Sequence, residues 1–265
     1  MTKAQPYRLH GTKPYISVGI HGGPGASGSL YDLCEEVGKR VGIIELLNHS
    51  DSIDGQIGEL NDVIRGISRE PVTLIGHSWG AWLSVYYENA YPQTVKQMIL
   101  ISPGPFDAAY VQEIEKTRKS RMSRKTKERL SEHFVKINEE DEMIANTHFE
   151  RAGQIISKLD SYDVLERDLT DKTKCDMQIY QRVWTEASQK RKNGQLIKSV
   201  KQVKCPMIII HGDHDPHPVE GIKSPLLKEG IKAKCFVLSK CGHYPWREKH
   251  AKDDFYQILE NLLID

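Results

Sequence analysis

The sequence predicts an α/β protein: a mostly parallel sheet with helices on both faces, interrupted by an all-helical insertion. Three observations predict it. Short apolar runs alternate with helical patterns toward both ends of the chain. One such run, Val72-Thr73-Leu74-Ile75, leads through Gly76-His77-Ser78-Trp79-Gly80 directly into a helical pattern. Between Pro105 and Val203 the strand-like runs stop and charge becomes dense.

Each element follows from its pattern. Tyr15–Ile20 is a short β-branched run and reads as the first strand. Residues 29–39 carry helical spacing, 41–47 strand-like runs, and 54–68 helical spacing again. The run at 72–75 precedes a helix over 81–91, and Val95–Ile101 is the next strand. Near the C-terminus, 207–210 and 234–238 read as strands, 220–229 and 249–263 as helices. Strands alternating with helices of this length build a parallel sheet covered on both sides. Within the insertion, Leu130, Phe134 and Ile137 recur at helical spacing, as do Ile179, Val183 and Trp184. Trp184 fits the core of that insertion. The insertion is roughly a hundred residues, longer than any ordinary loop. The expected domains are therefore a core over 1–104 and 204–265 and a helical lid, or cap, over 105–203.

Composition narrows the function. The 265 residues are 28% charged with a net charge of +1, so nothing demands nucleic acid or an anionic membrane as partner. The hydrophobic content of 38% is low and points to an exposed, charged segment. The basic stretch at 118–129 and the acidic run Glu139-Glu140-Asp141-Glu142 supply it; the basic stretch reads as a solvated helix face, with steering of an acidic substrate as the alternative. The five cysteines form no C-x-x-C pair, which argues against a disulfide framework and a zinc knuckle. No apolar segment follows the N-terminus and none approaches a membrane span. The expectation is a cytoplasmic protein acting without a cofactor on a small molecule or short peptide.

The chemistry centres on Ser78. A serine with glycines two residues to either side, between strand and helix, forms a nucleophile elbow. Its turn is so sharp that only small flanking residues fit. A serine hydroxyl is a weak nucleophile and needs a general base, itself oriented by a carboxylate. In an elbow fold acid and base follow in that order, each in a loop after a strand. His243, in Cys241-Gly242-His243-Tyr244-Pro245 after the strand at 234–238, is the expected base, just ahead of a helix. The acid is Asp213 or Asp215 in His211-Gly212-Asp213-His214-Asp215-Pro216-His217. Asp215 is favoured because a residue further from the strand end can turn toward the imidazole. The same stretch offers His211, Asp213, His214, Asp215 and His217 as metal ligands, but the spacing matches no metal signature, so no metal is expected. An oxyanion hole needs two backbone donors. Trp79 N–H follows the nucleophile, and Gly23, or else Gly22, in His21-Gly22-Gly23-Pro24-Gly25 supplies the second.

These motifs together resemble the α/β-hydrolase fold. The glycine loop at 21–25 and the elbow at 76–80 resemble the proline iminopeptidase branch in particular. The Tyr91-Pro92 run into Val95–Ile101 and the Cys205-Pro206 lead into the next strand are typical of the fold. The resemblance spans 14–104 and 203–265. It implies a Ser78–Asp215–His243 serine hydrolase. It also implies two strands ahead of Tyr15, although only some fifteen residues are present there, so that edge is expected to be shortened. Where that branch carries glycine before the serine, this chain has His77. The insertion shows no acidic motif for a substrate amine. An ester or amide hydrolase is therefore expected. The alternatives are an aminopeptidase of that branch, another chemistry of the same fold such as acyl transfer, or a non-catalytic binding protein.

Overall fold

The computed structural model describes residues 5–138, 141–165 and 174–264. Glu139 and Glu140, half of the acidic run, lie outside the described residues. The strands are β1 (Tyr7–His10), β2 (Tyr15–Ile20), β3 (Ala26–Ser27), β4 (Gly42–Leu46), β5 (Val72–His77), β6 (Val95–Ile101), β7 (Lys174–Cys175), β8 (Met207–Gly212) and β9 (Lys234–Leu238). Seven form one sheet in the order β1-β4-β2-β5-β6-β8-β9. All neighbours are parallel except β1, which runs antiparallel to β4. The core helices are α1 (Tyr31–Gly38), α2 (Ile53–Ile67) and α3 (Trp79–Ala90). The insertion after β6 holds α4 (Val111–Arg121), α5 (Arg124–Lys136), α6 (Glu142–Leu159), α7 (Met177–Lys192) and α8 (Gln195–Gln202), and α9 (Glu220–Lys228) and α10 (Lys252–Ile264) complete the core.

The strands read as unbroken apolar runs because helices cover both faces. Successive side chains leave a strand on opposite sides. Ile44, Leu74, Leu100 and Ile209 pack on one face with Leu60 of α2 and Leu83 of α3. Their neighbours Ile43, Ile75, Ile101 and Ile210 pack on the other with Leu33 of α1 and Phe255 of α10. Each such fully buried side chain contributes about 1.5–3 kcal/mol.

The N-terminal edge carries one strand where the resemblance implies two. Glu45 of β4 is fully buried. Arg8 and His10 of β1 reach it at 3.3 and 2.9 Å. Without β1 this carboxylate would face the interior with no counter-charge, which is strongly destabilising.

The insertion is helical but not wholly so. β7 pairs antiparallel with β3, Cys175 opposite Ala26; two residues are too few for periodicity to register. α5 packs on α6 through Leu130, Ile137 and Ala152. Phe134, expected on the same stripe, is 49% exposed. The apolar face of α5 is narrow, and Phe134 falls at its margin. Trp184 of α7 stacks on Trp82 of α3, with ring centroids 5.6 Å apart and planes 14° apart. It therefore joins cap to core rather than packing within the cap alone. Among the described residues no helix is long and apolar enough to cross a membrane.

Candidate active site

Strand register fixes where the loops emerge. Ile20 lies opposite Gly76, His77 opposite Ile101, Ile101 opposite Ile210, and Gly212 opposite Leu238. The C-terminal ends of β2, β5, β6, β8 and β9 are thus level. Open parallel sheets bind ligands at this edge. Ser78, the glycine loop, Asp215 and His243 all follow these ends.

Ser78 has φ 51° and ψ −108°, a conformation unusual for a residue with a side chain. Such strain persists only where the surroundings enforce it. Here they do. A Cβ on Gly76 would lie 2.3 Å from the carbonyl oxygen of Gly80, and one on Gly80 would lie 2.1 Å from that of Ile20. Ser78 N–H donates to Ile101 O at 2.9 Å, tying the turn to the next strand. Both flanking glycines are therefore steric requirements.

The glycine loop lies against the elbow. A Cβ on Gly22 would meet His77 Nδ1 at 2.5 Å and Ser78 Cβ at 3.1 Å. Gly23 has φ 62°, and its carbonyl accepts from Ala26 N–H at 2.8 Å. Trp79 opens α3, where the first N–H groups have no partner inside the helix. The cap closes over this loop: Asp176 N–H donates to Gly25 O at 2.8 Å.

Asp215 and His243 meet. His243 Nδ1 donates to Asp215 Oδ2 at 2.6 Å, which leaves Nε2 as the lone-pair nitrogen. Both side chains are buried. Asp213 is exposed and accepts from Cys241 N–H at 3.2 Å. Asp215 Oδ1 accepts from His217 N–H at 2.9 Å and from His217 Nδ1 at 2.8 Å. Burial alone would raise the Asp215 pKa, but the His243 and His217 imidazoles outweigh it and hold the carboxyl well below the usual range. The helix expected just after His243 is absent. The buried pair Pro245 and Trp246 forms a single 3₁₀ turn there, and α10 begins at Lys252.

Ser78 Oγ is not hydrogen-bonded to His243; catalytic contacts often close only around substrate. What joins elbow to base is the neighbouring residue. His77 Nε2 donates to His243 O at 3.0 Å, and the two rings lie 4.8 Å apart. Burial, reinforced by His243, holds the His77 pKa well below its ordinary value, so this ring is neutral.

Three residues at the site were not singled out by sequence reasoning. His217, weighed there only as a metal ligand, stacks on His243 at 4.4 Å. Glu248 is fully buried. Its Oε1 accepts from Gly242 and Tyr162 N–H, both at 2.9 Å, and its Oε2 from Asp163 N–H at 2.8 Å. It thereby ties the cap segment after α6 to the loop that carries His243. Arg118, expected on a solvated face, instead grips buried Asp160 through Nε at 2.7 Å and Nη2 at 2.5 Å. The Asp160 carbonyl accepts from His243 N–H at 2.9 Å. His217 and Arg118 carried a signal in the sequence, as a candidate ligand and as part of a basic stretch, but not for these contacts; Glu248 carried none.

The metal-ligand candidates separate. Asp215 and His217 come together with His243, their ligand atoms within 4.8 Å of one another. The hydrogen bonds just described already use Nδ1 of both imidazoles and both oxygens of Asp215. His211 turns its Nε2 to His217 O at 2.8 Å, 3.7 Å from Asp215 Oδ2.

A family model described as the alpha/beta hydrolase fold matches residues 18–248. Among solved structures, VinJ superposes with a TM-score of 0.68 at 15% identity, covering 97% of this chain and 94% of VinJ. A carboxylesterase structure from Nitrososphaera gargenis gives 0.63 at 18% identity, covering 97% and 93%. MenH from S. aureus gives 0.61 at 17% identity, covering 98% of both chains. No curated protein matches the chain in sequence. With the matched segment running from β2 through the His243 loop, the chain belongs to the α/β-hydrolase fold family.

Proposed function

We propose that this protein is a serine hydrolase that cleaves an ester or amide bond of a small molecule or short peptide through an acyl-enzyme. The observation that carries this is the short bond from His243 Nδ1 to Asp215 Oδ2, at the sheet edge that also presents the strained Ser78. The carboxylate fixes the imidazole tautomer and stabilises its cation. His243 Nε2 accepts the Ser78 hydroxyl proton as Oγ bonds to the substrate carbonyl carbon. The carbonyl π pair moves to oxygen, which Trp79 and Gly23 N–H groups stabilise. The oxyanion then collapses and expels the alcohol or amine, which leaves with the proton from His243. Water repeats the sequence and frees the acid. In this reading 1–104 and 204–265 form the chemical core, and the cap over 105–203 selects the substrate.

An aminopeptidase of the proline iminopeptidase branch needs a carboxylate for the substrate's amine. Asp160, the acidic cap residue bonded to His243, is engaged by Arg118, which favours substrates without a cationic amine. A binding protein on the same fold needs no polarised imidazole. Hydrolysis of short acyl esters and aminoacyl arylamides by the wild type and Ser78→Ala divides these readings. Ester turnover that vanishes in Ser78→Ala supports the esterase, and arylamide turnover alone supports the aminopeptidase. No turnover of either by folded protein contradicts both.

A further inference from the structure

We propose that Arg118 is a substrate-binding residue, and that the preferred substrates carry a carboxylate a short distance from the scissile carbonyl. This rests on the serine-hydrolase reading of the site and names its substrate class.

The guanidinium is placed and held still before any ligand arrives. Its side chain is only 25% exposed, and two of its nitrogens bind the two oxygens of Asp160, itself 1% exposed. Among the described residues Nη1 has no partner, so a rigid, charged donor pair remains for a ligand. A fork fixed in this way loses little entropy on binding a carboxylate.

The location is the catalytic edge. Asp160 carries Arg118 on its side chain and accepts from His243 N–H through its carbonyl. One residue thus stands between the cation and the base. Asp215, Tyr244, His217 and Tyr180 all lie within electrostatic range of the Arg118 guanidinium. Tyr180 lies over the glycine loop, its backbone N 3.1 Å from where a Gly25 Cβ would stand.

One turn further along α4, Arg121 donates to two carbonyl oxygens, Leu159 O and His214 O, each at 2.7 Å, and among the described residues to no carboxylate. The cap therefore presents two guanidinium groups beside the His243 loop, of which Arg118 keeps Nη1 for a ligand.

The test compares monomethyl succinate, glutarate and adipate with methyl butyrate, pentanoate and hexanoate, followed by proton release. Wild type is expected to favour at least one half-ester over its neutral counterpart by about ten- to a hundred-fold in kcat/KM, the range for a hydrogen bond to a charged group. Arg118→Met should collapse that ratio, mainly through KM, and Arg118→Lys should restore part of it. Equal kcat/KM within every pair for wild type overturns the proposal without any variant. So does a ratio unchanged in Arg118→Met. Fluorophosphonate labelling of Ser78 in the same preparations separates the two levels. Labelled protein without carboxylate preference removes only the Arg118 role, whereas unlabelled folded protein removes the hydrolase reading and this inference together.

Discussion

Asp215 Oδ2 lies 2.6 Å from His243 Nδ1, whereas Asp213, two residues nearer the strand, bonds only a backbone N–H and is exposed. The distinction predicts very different consequences for two conservative changes. Asp215→Asn leaves the imidazole in the wrong tautomer and should lower ester kcat by about a thousand-fold or more. Asp213→Asn should stay within about threefold of wild type, as surface changes usually do. Steady-state kinetics on one active ester checks both, and equal losses would reassign the acid.

Glycines at the elbow and in an open helix should respond in opposite directions. Ala at Gly76 or Gly80 would place a Cβ 2.3 or 2.1 Å from a carbonyl oxygen, destabilising the protein by about 3 kcal/mol or more. Gly58 in α2 has nothing within 4 Å of such a Cβ, so Gly58→Ala should stabilise by about 0.5–1 kcal/mol. Urea unfolding measures both, and a neutral Gly80→Ala would contradict the steric account of the elbow.

Glu248 joins cap and base. Glu248→Ala leaves three N–H donors, the one on Gly242 buried, without their acceptor and should destabilise by about 1–3 kcal/mol. The His243 loop also loses its anchor, so kcat should fall further than KM rises. Unfolding curves and ester kinetics on one preparation test this, and an unchanged kcat would remove Glu248 from the positioning of His243.

Acid should destabilise the fold before it reaches the carboxylates. Burial lowers the pKa values of His21, His77, His211 and His217 from the ordinary 6.5. Below 6.5 the unfolded chain binds protons that the folded chain refuses. Their contribution is thus complete above 6.5 and is lost as pH falls toward the folded values. Asp215, depressed well below 3.8, adds a second loss at lower pH. The urea midpoint should hold from about pH 8 to about pH 7 and fall from there toward about pH 5; a midpoint that rose over this lower range would contradict the burial of neutral imidazoles.

The central strands were legible because helices bury both faces, so Ile208, Ile209 and Ile210 form one apolar word in the chain. The meeting of Asp215 with His243 was legible because chain order and strand ends bring both loops to one sheet edge. β1 was not: its alternate residues are only half buried, and Glu45, the charge that fixes it, reads as a polar interruption of β4. The grip of Arg118 on Asp160 spans 42 residues, and that of Glu248 on Tyr162 spans 86. Such pairings leave no local pattern, and a basic helix bound to one buried acid reads like one facing water.

The most direct test of the account is fluorophosphonate labelling followed by peptide mapping. The account predicts one adduct, on Ser78, formed far more slowly in His243→Ala and absent from Ser78→Ala. An adduct on another serine, or labelling of Ser78 at the wild-type rate without the His243 imidazole, would contradict it.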